Sequence, residues 1–363
     1  MSQRKIRAVY MRGGTSRALF FHERDLPPVG PERDAVLLRA LGSPDPYGRQ
    51  LDGLGGGISS LSKACIVSPC SRPDADVDFT FAQVEVTRSI VDYRGNCGNS
   101  ASAVGPFAID ERLVPAVEPA TVVRIHNTNT KKLLVARVPV HGDEAAVEGD
   151  FELPGVAGTG ACIALDFVDP GGAVTGKLLP TGRVRDTIDG VEASCVDATN
   201  PVVFVRAKDL GLSGTEAPAD IDEDRALGER LERLRTAAAR LMGIAGSAAV
   251  PKIALVAPPA PFTALDRTRY DAAQSDLVAR VISMGACHRA FALTAAMCLA
   301  VAARIEGTLV QEAAGLPAAR DLRLGHPSGV LPIAAEVAPG PVARRVTVYR
   351  TARRLMEGFI RIP

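Results

Sequence analysis

The sequence predicts an α+β protein of two similar halves, each a β-sheet rolled around one enclosed helix, with a cleft between the halves. Three observations carry this. Short β-rich segments bounded by Gly, Pro or Asp dominate the first part and recur in the second. Two segments, 99–111 and 290–305, mix small and apolar residues all round, which suits a helix surrounded by other structure. The stretch Asn99-Ser100-Ala101-Ser102-Ala103-Val104 also matches Leu293-Thr294-Ala295-Ala296-Met297-Cys298, small residue against small residue, and so points to an internal duplication.

In chain order, residues 6–11, 18–21, 64–68, 77–86 and 122–127 read as strands of the first half. Residues 31–41 open on proline and read as a short helix, and about 98–111 is the first enclosed helix. In the second half, strands are expected near 190–197, 202–206 and 253–257, a charged amphipathic helix over 222–242, and the second enclosed helix over about 290–305. The strand 345–351 is expected to return to the first half. The halves are therefore 1–184, joined by about 345–363, and 185–344, meeting near 180–189 without a low-complexity linker.

Composition narrows the function classes. At 363 residues and 47% hydrophobic, the chain is long enough for two cores. A net charge of +1, 4% aromatics and no tryptophan leave neither a dense basic face nor a stacking platform, which argues against a nucleic-acid partner. The N-terminus runs into a strand without the apolar core of a signal peptide, and no apolar run has membrane-spanning length, so a soluble cytoplasmic protein with no membrane partner is expected. The seven cysteines are odd in number and lack CxxC or Cys/His ligand spacing. Neither a disulfide framework nor a metal site is expected.

The most informative stretch is Arg94-Gly95-Asn96-Cys97-Gly98-Asn99-Ser100, which sets one cysteine between glycines and amides where a helix begins. A free cysteine is ordinarily a small buried hydrophobe, and Cys65, Cys70, Cys162, Cys195 and Cys298 sit in plain contexts that fit this, with Cys287 undecided. Cys97 differs: Asn96 and Asn99 are poor core neighbours, Gly98 frees the backbone to approach a ligand, and the free N–H groups of a helix start lower a thiol pKa and hold carboxylates.

Lys63 is the second candidate. It immediately precedes the apolar run Ala64-Cys65-Ile66-Val67, so its ammonium is expected to be half-buried and its pKa drawn toward that of a usable base. Most lysines are snorkelling surface groups, but Ser59, Ser60 and Ser62 lead into this one and suggest an anion cradle beside it. The phosphate-loop pattern GxxxxGK[ST] is absent. A third candidate is Met11-Arg12-Gly13-Gly14-Thr15-Ser16-Arg17, a glycine turn with two hydroxyls between arginines, of which Arg12 or Arg17 could meet a carboxylate bidentately. His326-Pro327-Ser328-Gly329 is a weaker polar turn.

Taken together, these segments resemble the PrpF family of 2-methylaconitate isomerases and related proteins, within the diaminopimelate epimerase-like superfamily. The resemblance rests on 10–16 (YMRGGTS), 42–56 (GSPDPYGRQLDGLGG), 59–63, 95–108 (GNCGNSASAVGPFA), 179–182 (LPTG), 283–285, 325–329 (GHPSG) and 351–363 (TARRLMEGFIRIP), all in order along nearly the whole chain. It implies two pseudosymmetric halves, an active site where the two enclosed helices begin, and no cofactor. Epimerases of the superfamily use two cysteines as acid and base. Cys97 matches the first, whereas Ala292 stands where the second would be, and a lysine matching Lys63 is the acid/base implied by the resemblance. Two departures are Leu293-Thr294-Ala295-Ala296 where many members have Gly-Thr-Gly-Ala, and Arg17 in place of the usual lysine.

The expected activity is isomerisation of an unsaturated di- or tricarboxylate such as 2-methylaconitate, aconitate or 4-oxalomesaconate by allylic proton transfer. Neutral Lys63 would remove the proton and Cys97 would return one or polarise the site. Carboxylate binding is expected from Arg12, Thr15, Ser16, Ser59, Ser60, Asn96, Gly98, Asn99, Met284, Thr294, His326 and Ser328. The rival readings are amino-acid epimerisation, which lacks its second cysteine, and a non-catalytic accessory of an aconitase-like dehydratase. If the chain associates, a homodimer is the expected form.

Overall fold

The computed structural model describes residues 3–70, 72–93, 96–246, 250–283, 285–315 and 320–363. It is mixed α+β, dominated by strands, and divides into two compact units, residues 1–166 with 349–363, and residues 167–348.

In the first unit, Arg4–Gly13 lies between two antiparallel neighbours, Ser16–His22 and Ala352–Ile362. Ser16–His22 runs parallel to Lys63–Pro69, which pairs antiparallel with Val77–Val84. That strand is parallel to Ala120–Asn127, itself antiparallel to Lys132–His141. Period-two patterning assigns the faces. Phe20 meets Phe107 of the enclosed helix, ring centroids 5.5 Å apart. Its neighbours Leu19 and Phe21 point the other way, into a cluster with Val36, Leu37 and Leu41 of the covering helix Pro31–Leu41. Gly105 allows the close approach of helix and sheet, since a Cβ there would lie 2.7 Å from Val138 Cγ2.

The second unit repeats this order of strand senses. Val191–Ala198 is antiparallel to Asn200–Arg206, which is parallel to Lys252–Ala257. That strand is antiparallel to Leu277–Ser283, which is parallel to Leu322–His326, in turn antiparallel to Gly329–Ala338. The enclosed helix Leu293–Ala302 is buried from Ala295 onward. On the opposite face Leu227, Leu231 and Leu234 pack with Val203, Val205 and Leu255.

Several expectations need correcting. The divisions fall after residues 166 and 348, where 184 and 344 were expected. Residues 345–350 lie in Val342–Arg350, which pairs with Gly329–Ala338, and the chain rejoins the first unit from Tyr349, where 345 was expected. The strand that completes the first unit is Ala352–Ile362, matched to Arg4–Gly13 along its length. The expected helix 98–111 is two pieces, Gly98–Ala101 and Val104–Asp110; the Ser102 hydroxyl turns back to donate to Asn99 O at 2.7 Å, and Pro106 in the first turn of the second piece lacks an N–H. The second enclosed helix is shorter than 290–305, and 222–242 divides at Asp224, whose carboxylate caps Arg225–Leu241 by accepting from Leu227 N at 2.9 Å. No helix among the described residues is long and apolar enough to cross a membrane.

Candidate active site

Cys97 is the N-cap of Gly98–Ala101, in extended conformation, and its Sγ accepts from the Ser100 amide at 3.5 Å. Asn96, just before it, accepts through Oδ1 from Asn127 Nδ2 at 3.1 Å, and Asn127 is fully buried and also caps the turn at Thr130. The amide that read as a ligand group in sequence thus anchors the entry to the helix. On the other side, Asn99 Nδ2 donates to Thr15 Oγ1 at 3.1 Å. The Gly13-Gly14 turn packs directly on Asn99: a Cβ on Gly13 would lie 2.4 Å from Asn99 O, and one on Gly14, at φ +51°, 2.2 Å from Asn99 Oδ1. These are close approaches that only glycine allows.

Lys63 opens the strand Lys63–Pro69 and is 7% exposed. Strand register sets Gln83 opposite it, and its Nζ donates to Gln83 Oε1 at 2.5 Å. The Gln83 amide nitrogen donates to the carbonyls of Ser59 and Ser62 at 3.1 and 2.9 Å, which fixes the carbonyl end of that amide toward the lysine. The ammonium also stands 5.1 Å from the centroid of the Phe81 ring, a cation–π contact. Its described partners are therefore neutral. Behind it, buried Gln50 donates to the hydroxyls of Ser43 and Ser62, each at 2.8 Å, and shapes the glycine-rich approach. Replacing Gln83 by Leu leaves a buried N–H of Lys63 without its acceptor, and turnover should fall about tenfold with the fold retained; steady-state kinetics beside circular dichroism check this.

Lys63 and Cys97 act on one another. Burial pushes the Cys97 thiol up, but the Lys63 charge, with polar groups of Ser100 and buried Ser16, outweighs it and holds the thiol below its ordinary value. Cys65, on the same strand as Lys63, shows the contrast: burial dominates and pushes its thiol well above the ordinary value.

Thus the fold brings Lys63, Cys97 and Ser16 together, with Thr15, Gly98 and Asn99 alongside. Ser59 is exposed and Ser60 half-buried in a single 3-10 turn, and it is Ser62 that is buried beside the lysine. Arg12 Nη1 donates to the carbonyls of Gly14 and Thr351 at 2.9 and 3.0 Å. Arg17 lies 5.5 Å from the Tyr10 ring centroid. In the second unit, Ala292 is the N-cap of Leu293–Ala302, the position that Cys97 holds in the first, and it offers no capping side chain. Thr294 O accepts from Thr199 Oγ1 at 2.8 Å. Buried His326 accepts from Ser328 N at 3.1 Å, while Ser328 Oγ donates to Arg289 O at 2.7 Å, so both shape one turn. Met284 lies outside the described residues, as do Arg94 and Gly95.

Sequence reasoning missed two groups here. Gln83 meets Lys63 only through strand register. Arg350, 5% exposed, reaches the site from the far end of the chain: a Cβ on Gly14 would lie 3.2 Å from its Cδ. Burial draws its pKa down to about 10, and the charge of Cys97 opposes that shift. Elsewhere, folding collects Cys70, Asp78 and His126, where Cys70 Sγ and His126 Nδ1 meet Asp78 Oδ1 at 3.0 and 2.6 Å, a grouping that no local spacing displays.

Comparison with known proteins matches residues 3–363 to the family model described as PrpF protein. The chain is 44% identical to 3-methylitaconate isomerase of Eubacterium barkeri, over 99% of this chain and 97% of that one. It is 39% identical to 4-oxalomesaconate tautomerase of Pseudomonas putida, over 99% and 97%. Among solved structures, a methylitaconate-delta-isomerase superposes with a TM-score of 0.93 at 43% identity, covering 100% of this chain and 96% of that one.

Proposed function

The chain belongs to the PrpF family, and from that premise we propose that it isomerises an unsaturated di- or tricarboxylate by allylic proton transfer between Lys63 and Cys97. The observation that carries the reading is the pair itself: a buried lysine whose described partners are neutral, beside a helix-capping cysteine whose thiol its charge holds low. Relatives acting on methylitaconate and oxalomesaconate, by their names, support the substrate class.

The electrostatics favour the reverse of the roles expected from sequence. The charge of Lys63, which stands against Gln83 and the face of Phe81, favours thiolate at Cys97. The thiolate takes the allylic proton. The electron pair of the broken C–H bond spreads through the double bond onto carboxylate oxygens, giving a dienolate. The Lys63 ammonium then delivers a proton to the far carbon of the allyl system, and the double bond re-forms in its new position or, if protonation follows rotation at the original end, with its new geometry. Transfer of the proton from Cys97 to the Lys63 amine restores the pair. On this reading the developing negative charge falls to the first amides of Gly98–Ala101, at the helix start that Cys97 caps.

The test is a panel of aconitate, methylaconitate, methylitaconate and oxalomesaconate isomers in deuterated water, followed by NMR and absorbance. At least one acid should isomerise with deuterium entering its allylic position. If none of them isomerises or exchanges, the proposal fails, and amino acids in the same solvent would then probe the epimerase reading, which Ala292 disfavours by leaving the second unit without an acid or base at its helix cap.

A further inference from the structure

Arg350 closes the strand Val342–Arg350 and belongs to the first unit. A buried guanidinium is costly unless paired; this one faces the charge of Cys97, but its hydrogen-bonding capacity is underused. Its Nη1 donates to the carbonyl of Tyr349 at 2.8 Å, while its Nε finds no acceptor among the described residues. The Gly13-Gly14 turn, stripped of side chains, lets its stem lie against the backbone beside Asn99. Because Nη1 is occupied, the edge left open is the one formed by Nε and Nη2, whose parallel N–H bonds match the two oxygens of a carboxylate.

We propose that Arg350 binds one carboxylate of the substrate through Nε and Nη2, beside the carbon that exchanges its proton with Cys97. This rests on the isomerase reading above and assigns it a carboxylate subsite. The bound carboxylate is one that gains charge in the dienolate, so Arg350 both orients the acid and stabilises the intermediate.

The experiment uses tricarballylate, a saturated tricarboxylate that cannot isomerise, with calorimetric affinity and thermal unfolding of the whole chain as readouts. Wild type should bind it and gain stability. Arg350→Met should weaken binding about 100-fold, with its unfolding temperature without ligand recorded beside it as the measure of any structural cost. Arg350→Lys, which keeps the charge and loses the fork, should weaken binding about tenfold at unchanged unfolding temperature, and it carries the test alone if the Met variant does not fold. Unchanged affinity in the variants, or a lowered unfolding temperature with affinity retained, would overturn the assignment while leaving the isomerase reading standing. A wild type that neither binds tricarballylate nor isomerises any acid of the panel would instead overturn both.

Discussion

Lys63→Ala is expected to lower turnover by about three orders of magnitude, the effect of losing a positioned general acid together with the charge that prepares its partner. The sign of the second effect follows from the site. Burial alone pushes the Cys97 thiol up and the Lys63 charge brings it below its ordinary value, so removing the lysine raises it and reduces the thiolate present at neutral pH. Alkylation of Cys97 by iodoacetamide, followed against pH, should therefore move to higher pH in Lys63→Ala. Lys63→Arg separates the two contributions. A guanidinium keeps the positive charge but does not give up its proton in this pH range, so alkylation should stay at low pH while isomerisation and allylic deuterium exchange are lost. If Lys63→Ala isomerised at the wild-type rate, neither the acid nor the charge would be in use and the pairing with Cys97 would be wrong.

The parts of this site that were legible in sequence are those whose chemistry is advertised by immediate neighbours. Cys97 stands out because Asn and Gly are odd company for a core thiol, and Lys63 because it abuts an apolar strand. The fold class was readable for a similar reason: two helices with small residues all round have to be enclosed. What stayed hidden depends on register and on distant chain segments. Gln83 faces Lys63 only because the strands pair in one particular alignment. Arg350 reads as one arginine among many near the C-terminus, and it becomes part of the site because a glycine turn from the first strand passes over its stem. Nor does sequence show that part of a ligand-like side chain is engaged within the fold: Asn96 Oδ1 accepts from Asn127, and Arg12 Nη1 donates to backbone carbonyls. The start of the returning segment was not legible because 345–350 and 352–362 both carry strand patterning and only Thr351 separates them.

The segment that begins at Cys97 is anchored at its far end, beyond the second helical piece. Glu111 follows Val104–Asp110 as its C-cap, with its side chain 6% exposed. It accepts from Arg7 on the first strand, from Arg354 on the last at 2.8 Å, and meets His22 Nε2 on the second at 2.8 Å. One carboxylate thus ties three strands to Val104–Asp110, the piece that follows the short helix capped by Cys97. Burial by itself would raise its pKa, but the bonds from Arg7, Arg354 and His22 prevail and bring it from the ordinary 4.5 to about 2. A carboxyl group whose folded value is depressed contributes stability that is fully present above its unfolded value and fades as pH falls toward the folded one. The window is therefore roughly pH 4.5 down to 2. Discounted for the solvent that reaches Arg7, the contribution is about 2 kcal/mol. Glu111→Gln should lose that much in urea unfolding at neutral pH, and the gap between variant and wild type should close as pH falls through the window. A gap that persisted unchanged at pH 2.5 would mean that Glu111 acts through packing alone. Because Gly98–Ala101, capped by Cys97, leads directly into Val104–Asp110, the same variant at neutral pH should lower turnover under conditions where it remains folded, and iodoacetamide reactivity of Cys97 would report the displaced cap directly.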